Sequence, residues 1–73
     1  MIKRVIEILS GFTEVKAEDM NEKTRLAADL GLNSLDVVNL VVEFEDEFDI
    51  EIPDENIRDF QTIGDILRFI ENQ

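Results

Sequence analysis

The chain has 73 residues, with 18 acidic side chains against 7 basic ones, no His and no Cys, and a net charge of −11. That length predicts one domain, 1–73, with a core at the small end of what folds unaided. The absence of Cys excludes disulfides and thiolate metal sites, and a pI near 4.1 excludes the basic footprint that nucleic acid requires. There is no apolar run long enough to span a bilayer and no secretory signal pattern, so the expectation is a cytoplasmic, monomeric protein.

Met1 to Ser10 reads as the first helix. Ile2, Val5, Ile6 and Leu9 recur at helical spacing on one stripe, while Lys3, Arg4 and Glu7 fall opposite. Gly11 is placed to stop it as a C′ residue, and Phe12 is expected to fold back onto the core. Residues 11–33 form a long polar connection with poor periodicity. Val15, Met20, Leu26 and Leu30 are spaced as apolar anchors, and because bare loops of this length are uncommon, a helical turn is predicted near Leu26 to Asp29.

The stretch DLGLNSLDVVNLVVEFEDEF, Asp29 to Phe48, holds the strongest signal. Asn33 and Ser34 stand in front of about four turns of helical pattern, so the Ser34 hydroxyl lies at or beside a helix N-terminus. Backbone N–H groups are unpaired there and the helix dipole is positive, a favourable field for a phosphate ester. Equally, Ser34 or Asn33 could serve only as the N-cap, since both types cap well. Val37, Leu40, Val41, Phe44 and Phe48 make one core-facing stripe. Leu35, Val38 and Val42 make a second, rotated away and set among Asp36, Asn39, Glu43, Glu45 and Asp46. The second stripe reads either as an exposed docking strip or as the other face of a helix buried on two sides. No basic residue occurs between Arg25 and Arg58, and the acids of that interval, Asp29, Asp36, Glu43, Glu45, Asp46, Glu47, Asp49, Glu51, Asp54 and Glu55, carry almost all of the net charge. Such a field steers basic partners.

Asp49 to Ile52 is expected to be extended. A strand would find no partner strand. Pro53 favours a first helical turn, with Asp54 and Glu55 at its positive end. A short helix should end by Asp59, with Ile57 facing in and Phe60 in the link. Thr62-Ile63-Gly64-Asp65 resembles a capping box. Ile63, Ile66, Leu67 and Ile70 then give the last helix its stripe, with Phe69 off it and partly exposed. The predicted architecture is all-α: a small bundle of three main helices plus a short fourth, with a long loop between helices one and two.

Catalysis by the chain's own residues is not expected. A Ser nucleophile needs a base, and the only lysines are Lys3, Lys16 and Lys23. Asp46, Glu47, Asp49 and Glu51 lack the Gly and spacing of a calcium loop, so no dedicated metal site is predicted.

Leu30-Gly31-Leu32-Asn33-Ser34-Leu35-Asp36, the helix that follows and Glu51-Ile52-Pro53-Asp54-Glu55 together resemble the acyl carrier proteins over essentially the whole chain. In that family the motif is Asp-Ser-Leu at the start of the second helix. The resemblance implies that Ser34 receives a 4′-phosphopantetheine arm from coenzyme A. The usual Asp is Asn33 here. It also implies a carrier of acyl thioesters rather than an enzyme. Its partners would be a phosphopantetheinyl transferase, acyl chains and fatty-acid synthesis enzymes with basic patches, and its docking face would comprise Leu35, Asp36, Val38, Asn39, Val42, Glu45 and Asp46. Two alternatives stand beside this: a specialised polyketide, peptidyl or other acyl carrier, and an unmodified acidic interaction module.

Overall fold

The computed structural model covers residues 1–73, and all of its named elements are helical. In chain order the elements are α1 (Ile2–Ser10), a single 3-10 turn (Ala17–Asp19), α2 (Ser34–Phe48), α3 (Asp54–Ile57) and α4 (Ile63–Glu71). Three main helices and a short one form the bundle that the pattern predicts.

Each main helix buries the stripe its periodicity marks. Val5 and Leu9 of α1, Leu40, Val41 and Phe44 of α2, and Ile63, Ile66, Leu67 and Ile70 of α4 meet in one core. Removing that apolar surface from water is the main favourable contribution to folding. Two aromatic pairs extend the core. Phe44 stacks on Phe48 at 6.2 Å, and Phe60 meets Phe69 edge-on at 5.8 Å, which is why Phe69 is only partly exposed.

The long connection holds because its carbonyls and amides find partners. Met20, Leu26, Leu30 and Leu32 are buried, and the Thr13 hydroxyl donates to the Leu30 carbonyl at 2.9 Å. Gly31 lies in the left-handed region at φ 71°, which lets Leu30 and Leu32 both turn inward on either side of it. The predicted helical turn near Leu26 to Asp29 is present as isolated turns closed by i→i−4 bonds, Asp29 N–H to Arg25 C=O at 3.1 Å and Gly31 N–H to Ala27 C=O at 3.0 Å, and a 3-10 turn at Ala17–Asp19 stands beside it unpredicted.

The loop is also fastened to α4. Leu26 N–H donates to Gln61 C=O at 2.9 Å, Ile63 N–H to Thr24 C=O at 3.0 Å and Gly64 N–H to Glu22 C=O at 2.8 Å. Arg25 and Thr62 form an isolated antiparallel bridge, a pairing that the sequence pattern did not signal. The first amides of α4 are thereby satisfied by loop carbonyls. The capping box is present as predicted: Thr62 Oγ1 accepts from Asp65 N–H, and Asp65 Oδ2 accepts from Thr62 and Gln61 N–H. Partial burial works against the Asp65 charge. The N–H bonds from Gln61 and Thr62 and the Arg68 charge outweigh it and hold the carboxyl below its usual range. The carboxylate half of the box therefore contributes in full at neutral pH, and that contribution is lost as acidification passes through the lowered value, while the Thr62 half does not titrate.

Gly64 marks the tightest point of this seam. A Cβ there would sit 2.9 Å from the Glu22 carbonyl oxygen, a backbone atom that cannot swing away. Overpacking of this kind costs about 1–3 kcal/mol, and the better helix preference of Ala returns at most about 1. Gly64→Ala should therefore lower the melting temperature. An unchanged or raised value would show that the loop yields.

Three local expectations are corrected. Gly11 closes α1 in the right-handed region, at φ −76°, not as a left-handed C′ glycine. Asp49 is not extended but left-handed, at φ 53° and ψ 52°, and its N–H donates to the Glu45 carbonyl to end α2. Asp tolerates this conformation better than most residues, and the reversal is what turns Ile50 and Ile52 back towards the core. Pro53 precedes α3 as its N-cap residue, with ψ at 148°, instead of opening the first turn. No strand forms between Asp49 and Pro53, as expected.

Candidate functional site

The N-terminus of α2 shows which residue caps the helix. Asn33 is extended, at φ −97° and ψ 179°, and its Oδ1 accepts from Asp36 N–H at 2.8 Å. The Asp36 carboxylate returns the bond, accepting from Asn33 N–H at 3.1 Å. This reciprocal box assigns the cap to Asn33. Ser34 is then the first residue of the helix proper, exposed, with a hydroxyl that no capping bond engages. The amides of Ser34 and Leu35 find no acceptor within the protein. At α4 the corresponding amides are taken by the loop, whereas at α2 they are left open beside the Ser34 oxygen. Unpaired N–H groups at the positive end of a fifteen-residue helix suit a phosphate ester. An alkoxyl group and two open donors are the donor set a phosphodiester-linked group needs, so the residues fit such a group.

Beside Ser34 a groove of about 340 Å³ runs between α2, α3 and the end of the long loop. Ala27, Leu32, Val37, Val38, Ile57 and Phe60 give it an apolar wall, and Asn33 and Arg58 complete the lining. Sequence reasoning did not bring Ala27, Ile57, Phe60 and Arg58 to this place. One signal was available, because Arg58 is the first basic residue after the acid-rich interval that follows Arg25.

The second stripe of α2 is exposed: Leu35 at 68%, Val38 at 47% and Val42 at 49%. Asn39, Glu43 and Asp46 are exposed around it, so the strip and its acidic rim lie on one open face with Ser34 at its end. Two residues of the predicted docking face have internal tasks as well. Asp36 serves the capping box, and Glu45 Oε2 accepts from Ile52 N–H at 2.8 Å, pinning the segment after α2. Glu45 is accordingly only half-exposed.

Few of the clustered acids are compensated. Glu47 meets Arg4 of α1 at 2.6 Å, and Asp29 meets Arg25 at 3.1 Å; these arginines hold both carboxyls below their usual range. The remaining acids from Asp36 to Glu55 have no ion-pair partner. Their mutual repulsion is screened over roughly 10 Å at 0.1 M salt. Added salt, or millimolar divalent cation, should therefore raise the melting temperature. A melting temperature flat across ionic strength would mean that the acids do not strain the fold.

Residues 3–70 match the model of the family described as the phosphopantetheine attachment site. Two bacterial relatives named acyl carrier protein align along most of their length. The one from Phenylobacterium zucineum is 42% identical over 73 residues, covering 100% of this chain and 92% of the relative. The one from Caulobacter vibrioides is 44% identical over 70 residues, covering 96% and 90%. A solved structure of the acyl carrier protein from Enterococcus faecalis superposes with a TM-score of 0.85 at 30% identity, covering 97% of this chain and 90% of that one. Fold and match together define a carrier domain whose prosthetic group is 4′-phosphopantetheine. The chain belongs to the acyl carrier protein family. The unmodified acidic module is set aside by the same findings. No helix is long and apolar enough to cross a membrane.

Proposed function

We propose that Ser34 Oγ is the atom that carries the arm, and that this chain is one cytoplasmic, monomeric carrier domain delivering acyl intermediates to fatty-acid synthesis enzymes. The single observation behind the site is the division of labour at α2: Asn33 makes the cap, leaving the Ser34 hydroxyl and two amides uncommitted. Bound there, the group supplies a thiol that holds acyl chains as thioesters. The chain's own residues orient and shelter it. The amides of Ser34 and Leu35 face the ester's negative charge, and the apolar wall of Val37, Val38, Ile57 and Phe60 offers an acyl chain a surface away from water.

The chain itself is not an enzyme on this reading. It has no His or Cys, and its lysines lie outside the groove, so a base from the transferase must take the Ser34 proton. The docking face is Leu35, Val38, Asn39, Val42 and Asp46, with Asp36 and Glu45 adding charge from its edge. Basic patches on the transferase and on acyl-transfer enzymes complement it. The experiment is incubation with coenzyme A and a broad-specificity transferase, followed by intact mass and tandem mass mapping. One adduct, located on Ser34, is expected. An adduct mapped to another residue would overturn the assignment.

A further inference from the structure

The groove at Ser34 contains one charged residue that attachment and shelter leave without a task. Arg58 follows α3 directly and shares the groove lining with Ser34, Val38 and Ile57. The other three arginines each hold a carboxylate: Arg4 those of Glu7 and Glu47, Arg25 that of Asp29, Arg68 that of Asp65. Arg58 holds none, although Asp54, Glu55 and Asp59 lie within one helical turn of it along the chain. A guanidinium that pairs with none of three acids near it in the chain and stands as the one charge in the wall of a mostly apolar groove is available to an anion arriving in that groove.

We infer that Arg58 is a positioning residue for the prosthetic arm. Its guanidinium pairs with the phosphodiester at Ser34 and draws the root of the arm into the groove between α2 and α3. The inference rests on Ser34 as the attachment site. A phosphodiester presents two non-bridging oxygens and one negative charge, which the planar fork of arginine meets with parallel N–H bonds. The open amides of α2 approach the same group from the helix end, so the phosphate is held from two directions without a carboxylate being displaced. Arg58 is exposed, and an ion pair in that setting biases the arm without locking it. The arm then leans into the groove at rest and swings out when a partner or salt competes for the phosphate.

The test uses holo-protein with its adduct mapped to Ser34, in native form and as Arg58→Lys, Arg58→Gln and Arg58→Glu. Phosphorus NMR reads the phosphodiester, and cross-relaxation between the arm's methyl protons and the Val38 and Ile57 methyls reads its position. In Arg58→Gln the phosphorus resonance should move and the arm-to-groove cross-peaks should fall roughly two- to fivefold, the scale of an exposed pair. Arg58→Glu should lose more, Arg58→Lys less, and high salt should move the native spectrum towards that of Arg58→Gln. Identical phosphorus shifts and cross-peaks in native and Arg58→Gln holo-protein overturn the inference. So does a change in the groove's own methyl resonances already present in apo Arg58→Gln, because Arg58 would then be shaping the groove itself. An adduct away from Ser34 overturns both this inference and the attachment assignment, and the mass map alone identifies that case.

Discussion

Truncating Phe44 to alanine is expected to cost about 3–5 kcal/mol, the range for emptying a fully buried Phe site. Phe44 has no exposed surface, lies at the centre of the core and loses its stacked partner Phe48 in the variant. A domain of this size has roughly 4–11 kcal/mol of stability in total, so Phe44→Ala should leave it marginal or unfolded at 37 °C. Two positions earlier the result should be opposite. Val42 is 49% exposed, and the stem of a lysine can lie along the helix with its charge in water. Val42→Lys should change stability by no more than about 0.5 kcal/mol. It would place a positive charge in the face proposed to meet basic partners, so carrier-dependent transfer should slow while the melt stays put. The measurement is a thermal melt paired with a transfer assay using one carrier-dependent enzyme. Val42→Lys melting as low as Phe44→Ala would show that the second stripe of α2 supports the core.

Ser34→Ala is expected to abolish conversion to the holo form outright while leaving the fold intact. On the proposed assignment modification requires the one oxygen that the variant lacks, so the intact mass should not move. Stability should move by less than about 0.5 kcal/mol, because position 34 is exposed and alanine is the better helix former. Asn33→Ala provides the contrast. It removes the acceptor of the Asp36 N–H and half of the capping box, at a cost of about 1 kcal/mol, but leaves the Ser34 hydroxyl in place. Modified Asn33→Ala and unmodified Ser34→Ala, each with the predicted melt, would separate capping from attachment. A holo adduct persisting on Ser34→Ala would move the site elsewhere. A destabilised Ser34→Ala would show that the hydroxyl caps the helix after all.

The sequence by itself determined the elements that rest on local rules. The stripes of α1, α2 and α4 were legible because a 3.6-residue repeat of apolar side chains has only one way to reach a common core. Thr62 to Asp65 announced its capping box because the bonds close within one turn. The exposed strip of Leu35, Val38 and Val42 was visible as an excess of apolar residues over what one face could bury. The tertiary structure decided what depends on groups distant in the chain. It also settled one local choice that the residue types leave open: Asn33 and not Ser34 bonds Asp36, although both types are good caps. Fastening of the long loop at Glu22, Thr24 and Leu26 depends on backbone groups near the start of α4, which carry no side-chain signature. The left-handed turn at Asp49 and the inward task of Glu45 follow from where the chain must go after α2, not from their own propensities. The meeting of Arg58 with Ser34 in one groove has the same origin. They stand twenty-four positions apart in the chain, and only the packing of α3 beside α2 places both on the lining of one groove.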